Sequence, residues 1–169
     1  VRAEWEAQAE AVAGAGVAVS HLDSHQHVHL IPSALSSAAS DLARKMGIPL
    51  RAMDGPVRGG GAGATVKGAV LALASRLTLG SPRKRPGSAR GFGLAIAARP
   101  GVGTVRAALS RMRPGETYEM LVHLGTADSA LAETGDRYSG SREAERDLLL
   151  SEDLRAVLGF SGVRLVKRS

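Results

Sequence analysis

The stretch Ser20-His-Leu-Asp-Ser-His-Gln-His-Val-His-Leu-Ile-Pro32 decides how this chain can fold. It holds four of the five histidines of the chain within nine residues, with one aspartate among them. If the stretch is extended, alternation along the strand places its ionisable side chains on one face and its apolar side chains on the other. The ionisable ones are His21, Asp23, His25, His27 and His29. An apolar face of this kind predicts a strand end that is embedded in a domain.

The ionisable face of this strand predicts a metal site. Burying imidazole and carboxylate groups without partners costs roughly several kcal/mol, so the face must meet water, a metal ion or a hydrogen-bond network. Imidazole nitrogen and carboxylate oxygen suit divalent metals, and the side chains that do not bind the ion can orient those that do. The alternative is an exposed histidine-rich segment with incidental affinity for metal.

The rest of the chain alternates between helical and extended patterns. Apolar spacing, glycine caps and β-branched runs predict helices and strands around the histidine stretch and beyond it. The predicted helices are 2–13, 33–46, 65–79, 102–112 and one or two within 141–159; the predicted strands are 17–24, 48–53, 117–123 and 163–166. This order indicates an α/β fold with a parallel sheet or barrel, whose ligand site lies at the carboxyl ends of the strands.

Length and composition indicate one domain over residues 1–169, with flexible loops at 54–64 and 80–91. The net charge of +6 raises the possibility of nucleic-acid binding. Much of the excess lies in one loop, at Arg83-Lys-Arg85, and only 3% of the residues are aromatic, so we expect no nucleic acid as partner.

Membrane and thiol chemistry are not expected. The longest apolar runs, such as 69–74, are far shorter than the roughly 20 residues that span a bilayer. The first residues are charged and do not form a secretory leader, so a cytoplasmic location is expected. With no cysteine in the chain, histidine and carboxylate side chains must carry any chemistry.

The stretch His21–Pro32 resembles the signature strand of YdjC-type carbohydrate deacetylases. Similar motifs occur along nearly the whole chain, and 54–90 is the least similar part. These motifs are Glu4-x-x-x-Gln8, Gly47-Ile-Pro-Leu-Arg51, Tyr118-Glu-Met-Leu-Val-His123, and the C-terminal pattern from Arg142 through Glu145 to Leu165. Some members of that family act on chitin-derived oligosaccharides and others in hopanoid synthesis. No residue of this sequence indicates which of the two substrates applies.

The resemblance implies an incomplete (β/α)-barrel-like fold and a hydrolase that removes an N-acetyl group from an amino sugar or a glycolipid. The cofactor would be a divalent metal, Mg²⁺ or else Zn²⁺. His25 matches the family's metal ligand, and His123 matches the histidine that would protonate the leaving amine. The remaining matched residues would orient the ligands or face the substrate, and they are Asp23, His27, His29, His21 and Arg51.

The chain departs from the family pattern at three places. Family members begin with a strand that ends in paired aspartates, and they later offer a Gly-x-His ligand; this sequence contains neither. Leu124 follows His123 where the family has proline. We therefore expect the N-terminal strands of the fold to be missing and this chain alone to be inactive or impaired.

Two other functions stay open. A binuclear amidohydrolase or phosphoesterase also uses His-x-His at a strand end, but it needs further ligands on other strands. A non-catalytic remnant could bind metal, or a partner through apolar surface left uncovered, and a homodimer is one such association.

Overall fold

The computed structural model describes residues 1–55, 61–80, 89–135 and 139–166. The described chain is a mixed α/β structure, rich in helices, with a small parallel sheet. In chain order, its elements are α1 (Arg2–Gly14), a 3₁₀ helix (His25–Leu30), α2 (Ala34–Met46), α3 (Gly61–Leu79), β1 (Arg90–Phe92), α4 (Leu94–Ala98), α5 (Val102–Leu109), β2 (Tyr118–Met120), α6 (Ser129–Glu133), α7 (Ser139–Leu150) and α8 (Glu152–Phe160). Within these ranges, no helix has the length and apolarity needed to cross a bilayer.

Four parallel stretches of chain lie side by side. β1 pairs with β2, with Gly91 opposite Glu119. Single parallel bridges extend this pairing, from Arg90 to Ala52 in segment 49–55, and from Leu50 in the same segment to Leu22 in segment 20–24. The spatial order is therefore segment 20–24, segment 49–55, β1 and β2.

Alternation gives these stretches one apolar face and one polar face. On the apolar face, Leu50 packs with α2 and with Leu22, and Phe92 packs with the helices that follow β1. On the polar face, the side chain of Arg51 contacts side chains on both outer stretches. Its partners are His21, Asp23 and Glu119.

The helices bury two separate apolar clusters. The smaller cluster is formed by Ala39, Ala43 and Leu50, with Trp5, Leu22 and Leu79 packed around it. The larger cluster is formed by Phe92, Ile96, Val105, Ala108, Leu148 and Leu154. The smaller cluster lies beneath the histidine stretch, and it fixes α2 against segments 20–24 and 49–55.

Helix α2 forms where the sequence predicts it, because its ends are encoded locally. The Ser33 hydroxyl accepts a hydrogen bond from the backbone N–H of Leu35, and the Ser36 hydroxyl accepts one from the backbone N–H of Ser33. At the other end, Gly47 has a φ of 69°, which glycine adopts without steric cost. The predicted helices 2–13, 65–79, 102–112 and 141–159 are likewise present, within a few residues at each end.

The strand predictions need correction. The predicted strands 17–24 and 48–53 contribute isolated bridges only, and 117–123 is a strand at 118–120 alone. The predicted strand 163–166 is wrong, since these residues have no strand pairing and Leu165 is 77% exposed. Strand formation depends on a neighbour that is distant in sequence, which a local pattern does not reveal.

The loop predictions are partly wrong. Helix α3 already begins at Gly61, so 61–64 is not a loop, and Arg90 and Gly91 belong to β1. The remainder of the two predicted loops includes 56–60 and 81–88, which lie outside the described residues. The α/β class with a parallel sheet is confirmed, whereas the incomplete barrel stays a prediction.

Candidate functional site

The histidine stretch leaves the extended conformation after Ser24. Residues His25–Leu30 form a 3₁₀ helix, and Gln26 and His27 inside it have left-handed φ values of 53° and 59°. The expectation that all five ionisable side chains share one face by alternation is therefore wrong. The turn is closed by Ser24, whose hydroxyl accepts a hydrogen bond from the backbone N–H of His29 at 3.0 Å.

The ring of His29 is buried, and both of its nitrogens are bonded within the protein. Its side chain is 1% exposed, and Nε2 lies 2.8 Å from the carbonyl oxygen of Arg51. Because a carbonyl can only accept, Nε2 carries the proton, and Nδ1 then accepts from the Ser24 hydroxyl at 2.6 Å. Burial lowers the pKa of His29, which favours this neutral form. His29 thus ties the turn to segment 49–55 through both of its ring nitrogens.

Arg51 is the centre of a charged cluster on the polar face. Its guanidinium bonds both oxygens of Glu119, with Nε to Oε2 at 3.0 Å and Nη2 to Oε1 at 2.6 Å. Its Nη1 contacts the Asp23 carboxylate, and its Nη2 lies 3.5 Å from Nε2 of His21. Burial alone would lower the pKa of Arg51, but the two carboxylates raise it above its usual value. The cation therefore holds two acids from stretches that lie on either side of it.

Asp23 is a carboxylate that stays ionised. Burial would raise its pKa, but His27 and the Arg51 charge outweigh burial and lower the pKa to about 2. Its Oδ1 lies 3.8 Å from Nδ1 of His27 and 3.8 Å from Nδ1 of His29. In the described part of the chain, the buried Nδ1 of His27 has no hydrogen-bond partner. The Asp23–His27 pair is thus the part of this cluster with unused hydrogen-bonding capacity.

A cavity of about 590 Å³ opens beside the histidine stretch. Its walls are largely apolar and come from α1, α2 and segment 49–55. The lining residues include Trp5, Ala9, Val12, Leu42 and Leu50. The polar lining is supplied by Gln8 of α1 and by the histidine stretch, from Ser20 to His25 and at His29, and His25 itself is exposed. The cavity therefore combines an apolar interior with imidazole and carboxylate groups from one stretch.

His123 lies beyond β2 and contacts a buried carboxylate. Its backbone N–H donates to Oε2 of Glu145 at 2.8 Å, and its Nδ1 lies 3.6 Å from the same oxygen. Glu145 is fully buried, whereas the His123 side chain is 32% exposed. His123 is not among the residues that line the cavity. His25 and His123 thus do not share this cavity, and each lies beyond the carboxyl end of a parallel stretch.

The described residues do not make a complete metal site. Across these four ranges, no three His, Asp or Glu side chains converge in a way that could hold an ion. Both nitrogens of His29 are already bonded, and Asp23 is held by Arg51. His25, exposed at the cavity, offers one imidazole, so these residues fit at most part of a coordination sphere.

Three residues of the candidate site were not predicted from the sequence. Glu119 and Glu145 are the carboxylates that hold Arg51 and the backbone of His123, and Ser24 closes the histidine turn. The sequence could have indicated Glu119, because it lies four residues before His123 in the predicted strand 117–123. Residues an even number apart in a strand point to the same face. For Glu145 the sequence offered only its place in the matched C-terminal pattern, because the contact joins residues 22 positions apart.

Comparison with known proteins assigns the chain to a family. The model of a family described as "YdjC-like protein" matches residues 1–159. The search of curated proteins returned no match. Among solved structures, a protein of Enterococcus faecalis V583, named as a proposed cellobiose-phosphate cleavage protein, is similar with a TM-score of 0.69 and 21% identity. The match covers 99% of this chain and 58% of that one, so this chain spans little more than half of that protein's length.

Proposed function

Because the chain belongs to the YdjC-like family, we propose that it is part of a metal-dependent hydrolase that removes an N-acetyl group from an amino sugar. The family match and the similarity to a protein named for the cleavage of cellobiose phosphate both favour a role in carbohydrate processing.

One observation carries this proposal. Histidines stand just beyond the carboxyl ends of the first and the last of four adjacent parallel stretches, His25 after segment 20–24 and His123 after β2. In parallel α/β folds, reacting groups collect at that end of the strands. Three strand spacings of about 4.8 Å separate the two stretches in a flat sheet, and curvature into a barrel-like wall would bring the histidines closer. We therefore propose that the four stretches form part of such a wall.

The residues of this chain can perform separate parts of an amide hydrolysis. Water adds to the acyl carbon, the C–N bond breaks, and the nitrogen leaves with a proton. His123, which is partly exposed, would donate that proton. A divalent ion, Mg²⁺ or Zn²⁺, would polarise the carbonyl when bound, and His25 would be the ligand from this chain. Arg51 would hold Asp23 and Glu119 in place on the polar face, leaving Asp23 ionised beside His27.

The cavity suggests the kind of substrate. Its apolar walls and polar groups fit a ligand with both an apolar part and a sugar part, such as a glycolipid, and the exposed end at His25 would take the acetylated sugar. An acetylated amino sugar without a lipid would use the polar end alone. Both belong to one class, N-acetylated amino sugars.

Metal binding by the purified chain tests the proposal independently of turnover. Titration with Zn²⁺ should show a weak site with one ion per chain, which His25→Ala abolishes. Gln26→Asn is the matched control, because Gln26 is exposed beside His25 and asparagine tolerates its left-handed conformation. Binding that is equal in His25→Ala would overturn the metal assignment, and tight binding of two ions would favour a binuclear amidohydrolase instead.

A further inference from the structure

Glu145 is a buried acid that the predicted catalytic residues leave unexplained. It lies on α7, is fully buried, and is 22 residues away in sequence from the backbone N–H that it accepts from. An ionised carboxylate that is removed from water needs hydrogen-bond donors or a cation. The neighbours that bond to Glu145 therefore indicate its role.

The two carboxylate oxygens of Glu145 have different hydrogen-bond partners. Oε1 accepts a hydrogen bond from the Ser141 hydroxyl at 3.1 Å, one turn earlier on α7. Oε2 accepts from the backbone N–H of His123 at 2.8 Å and lies 3.6 Å from Nδ1 of the His123 ring. Two donors thus fix the carboxylate, and its second oxygen faces the imidazole.

From this geometry we infer that Glu145 is a positioning residue, which holds His123 in the tautomer that carries the proton on Nδ1. The nitrogen nearest to a carboxylate is the one that keeps its proton, and the other nitrogen then exchanges protons with a reactant. The distance of 3.6 Å is longer than a hydrogen bond, but a small rotation of the partly exposed ring would shorten it. When His123 is doubly protonated, the same carboxylate stabilises the imidazolium.

The inference rests on the proposed function for its chemical meaning. In that reaction, Nε2 of His123 would give its proton to the departing nitrogen, and the ring would return to the neutral form with the proton on Nδ1. Glu145 exchanges no proton in these steps. Its contribution is to make Nε2, and not Nδ1, the nitrogen that donates.

Nitrogen-15 NMR of the imidazole rings tests the inference without any need for activity. In the wild-type chain at a pH where His123 is neutral, Nδ1 should give the signal of a protonated nitrogen and Nε2 that of an unprotonated one. In Glu145→Gln, the side-chain oxygen can still accept from the backbone N–H, but the charge is lost. The pattern should then revert to the Nε2–H form that dominates in unconstrained imidazole. Ser141→Ala is the control, since it removes one donor to Glu145 and leaves the carboxylate facing the ring.

The outcomes separate this inference from the proposed function. A wild-type His123 in the Nε2–H form, or an Nδ1–H pattern that persists in Glu145→Gln, would overturn it. If Glu145→Gln does not fold, the wild-type spectrum alone still shows which nitrogen of His123 carries the proton. A chain that shows the Nδ1–H form but binds no metal through His25 would support the positioning role and count against the function. In an active protein, Glu145→Gln should lower kcat by about tenfold or more, with KM nearly unchanged.

Discussion

Arg51 and Glu119 form a two-point ion pair across β1, a strand that neither residue belongs to. On the intervening strand, Gly91 lies opposite Glu119. The two hydrogen bonds measure 3.0 Å and 2.6 Å, and Arg51 also contacts Asp23 on the far side. One cation thus joins three of the four parallel stretches on their polar face.

Replacing Arg51 should destabilise the fold strongly. Arg51→Met would leave Asp23 and Glu119 without their shared cation while their side chains remain three-quarters buried. Removing one partner from such a cluster costs about 2–4 kcal/mol, which chemical denaturation would measure. Arg44→Met is the control, because the Arg44–Asp41 pair is exposed and should contribute no more than about 0.5 kcal/mol. Equal losses in the two variants would show that the Arg51 cluster is not structural.

Asp23 should make the fold sensitive to acid. Its pKa is about 2 in the folded chain, below the ordinary aspartate value of 3.8, because His27 and Arg51 outweigh burial. A lowered folded pKa gives stability that is present above pH 3.8 and is lost as the pH falls toward 2, by about 1–2 kcal/mol with allowance for solvent screening. The free energy of unfolding should therefore drop more between pH 4 and pH 2 in the wild type than in Asp23→Asn. Parallel curves for the two proteins would rule out this role.

His29 should add a second dependence at higher pH. Burial lowers the pKa of His29 below the ordinary histidine value of 6.5, so the unfolded chain takes up its proton first. Stability from the neutral ring is present above pH 6.5 and declines as the pH falls below that value toward the folded pKa. In His29→Gln, an amide can bond both Ser24 and the Arg51 carbonyl but does not titrate. The difference in unfolding free energy between wild type and His29→Gln should shrink as the pH falls from 7 to 5, and a constant difference would contradict the assignment.

Gly91 should not tolerate a side chain. A Cβ atom there would lie 2.6 Å from the carbonyl oxygen of Ala52 and 2.7 Å from the sulfur of Met53, so Gly91→Ala must displace β1 from segment 49–55. We expect a loss of about 1–3 kcal/mol or more, as for overpacked cores. Gly103→Ala is the control, because Gly103 lies in α5 with no atom within 4 Å of the added carbon and should gain up to about 1 kcal/mol of helix propensity. Similar melting temperatures for both variants would disprove the close packing at Gly91.

Features encoded by neighbouring residues could be predicted from the sequence. Ser33 and Gly47 mark the ends of α2 by themselves, and the predicted helix agrees with the structure. The strand at 17–24 could not be predicted in the same way. Leu22 pairs with Leu50, 28 residues later, and that pairing extends over one bridge only. Branched residues before the histidines indicate an extended backbone but not how many residues find a partner.

The candidate site was likewise predicted in part, where neighbouring residues encode it. The sequence located the histidine stretch and His123, but it placed His29 with the other ionisable groups by strand alternation. The alternation ends because the Ser24 hydroxyl bonds both the backbone and the ring of His29, and Leu30 becomes fully buried. This turn requires left-handed conformations at Gln26 and His27, which non-glycine residues rarely adopt and a propensity argument disfavours. The partners Glu119 and Glu145 depend on tertiary contacts between distant parts of the chain.

Acetate release from N-acetylglucosamine oligomers tests the central claim most directly, with the chain in excess over substrate so that slow turnover is detected. The proposal predicts release that requires added Mg²⁺ or Zn²⁺, is lost in His25→Ala, falls by about a hundredfold or more in His123→Gln, and is kept in Gln26→Asn. Cellobiose phosphate serves as the competing substrate in the same assay. Release that neither histidine variant changes, or cleavage of cellobiose phosphate with no acetate from the oligomers, would contradict the account.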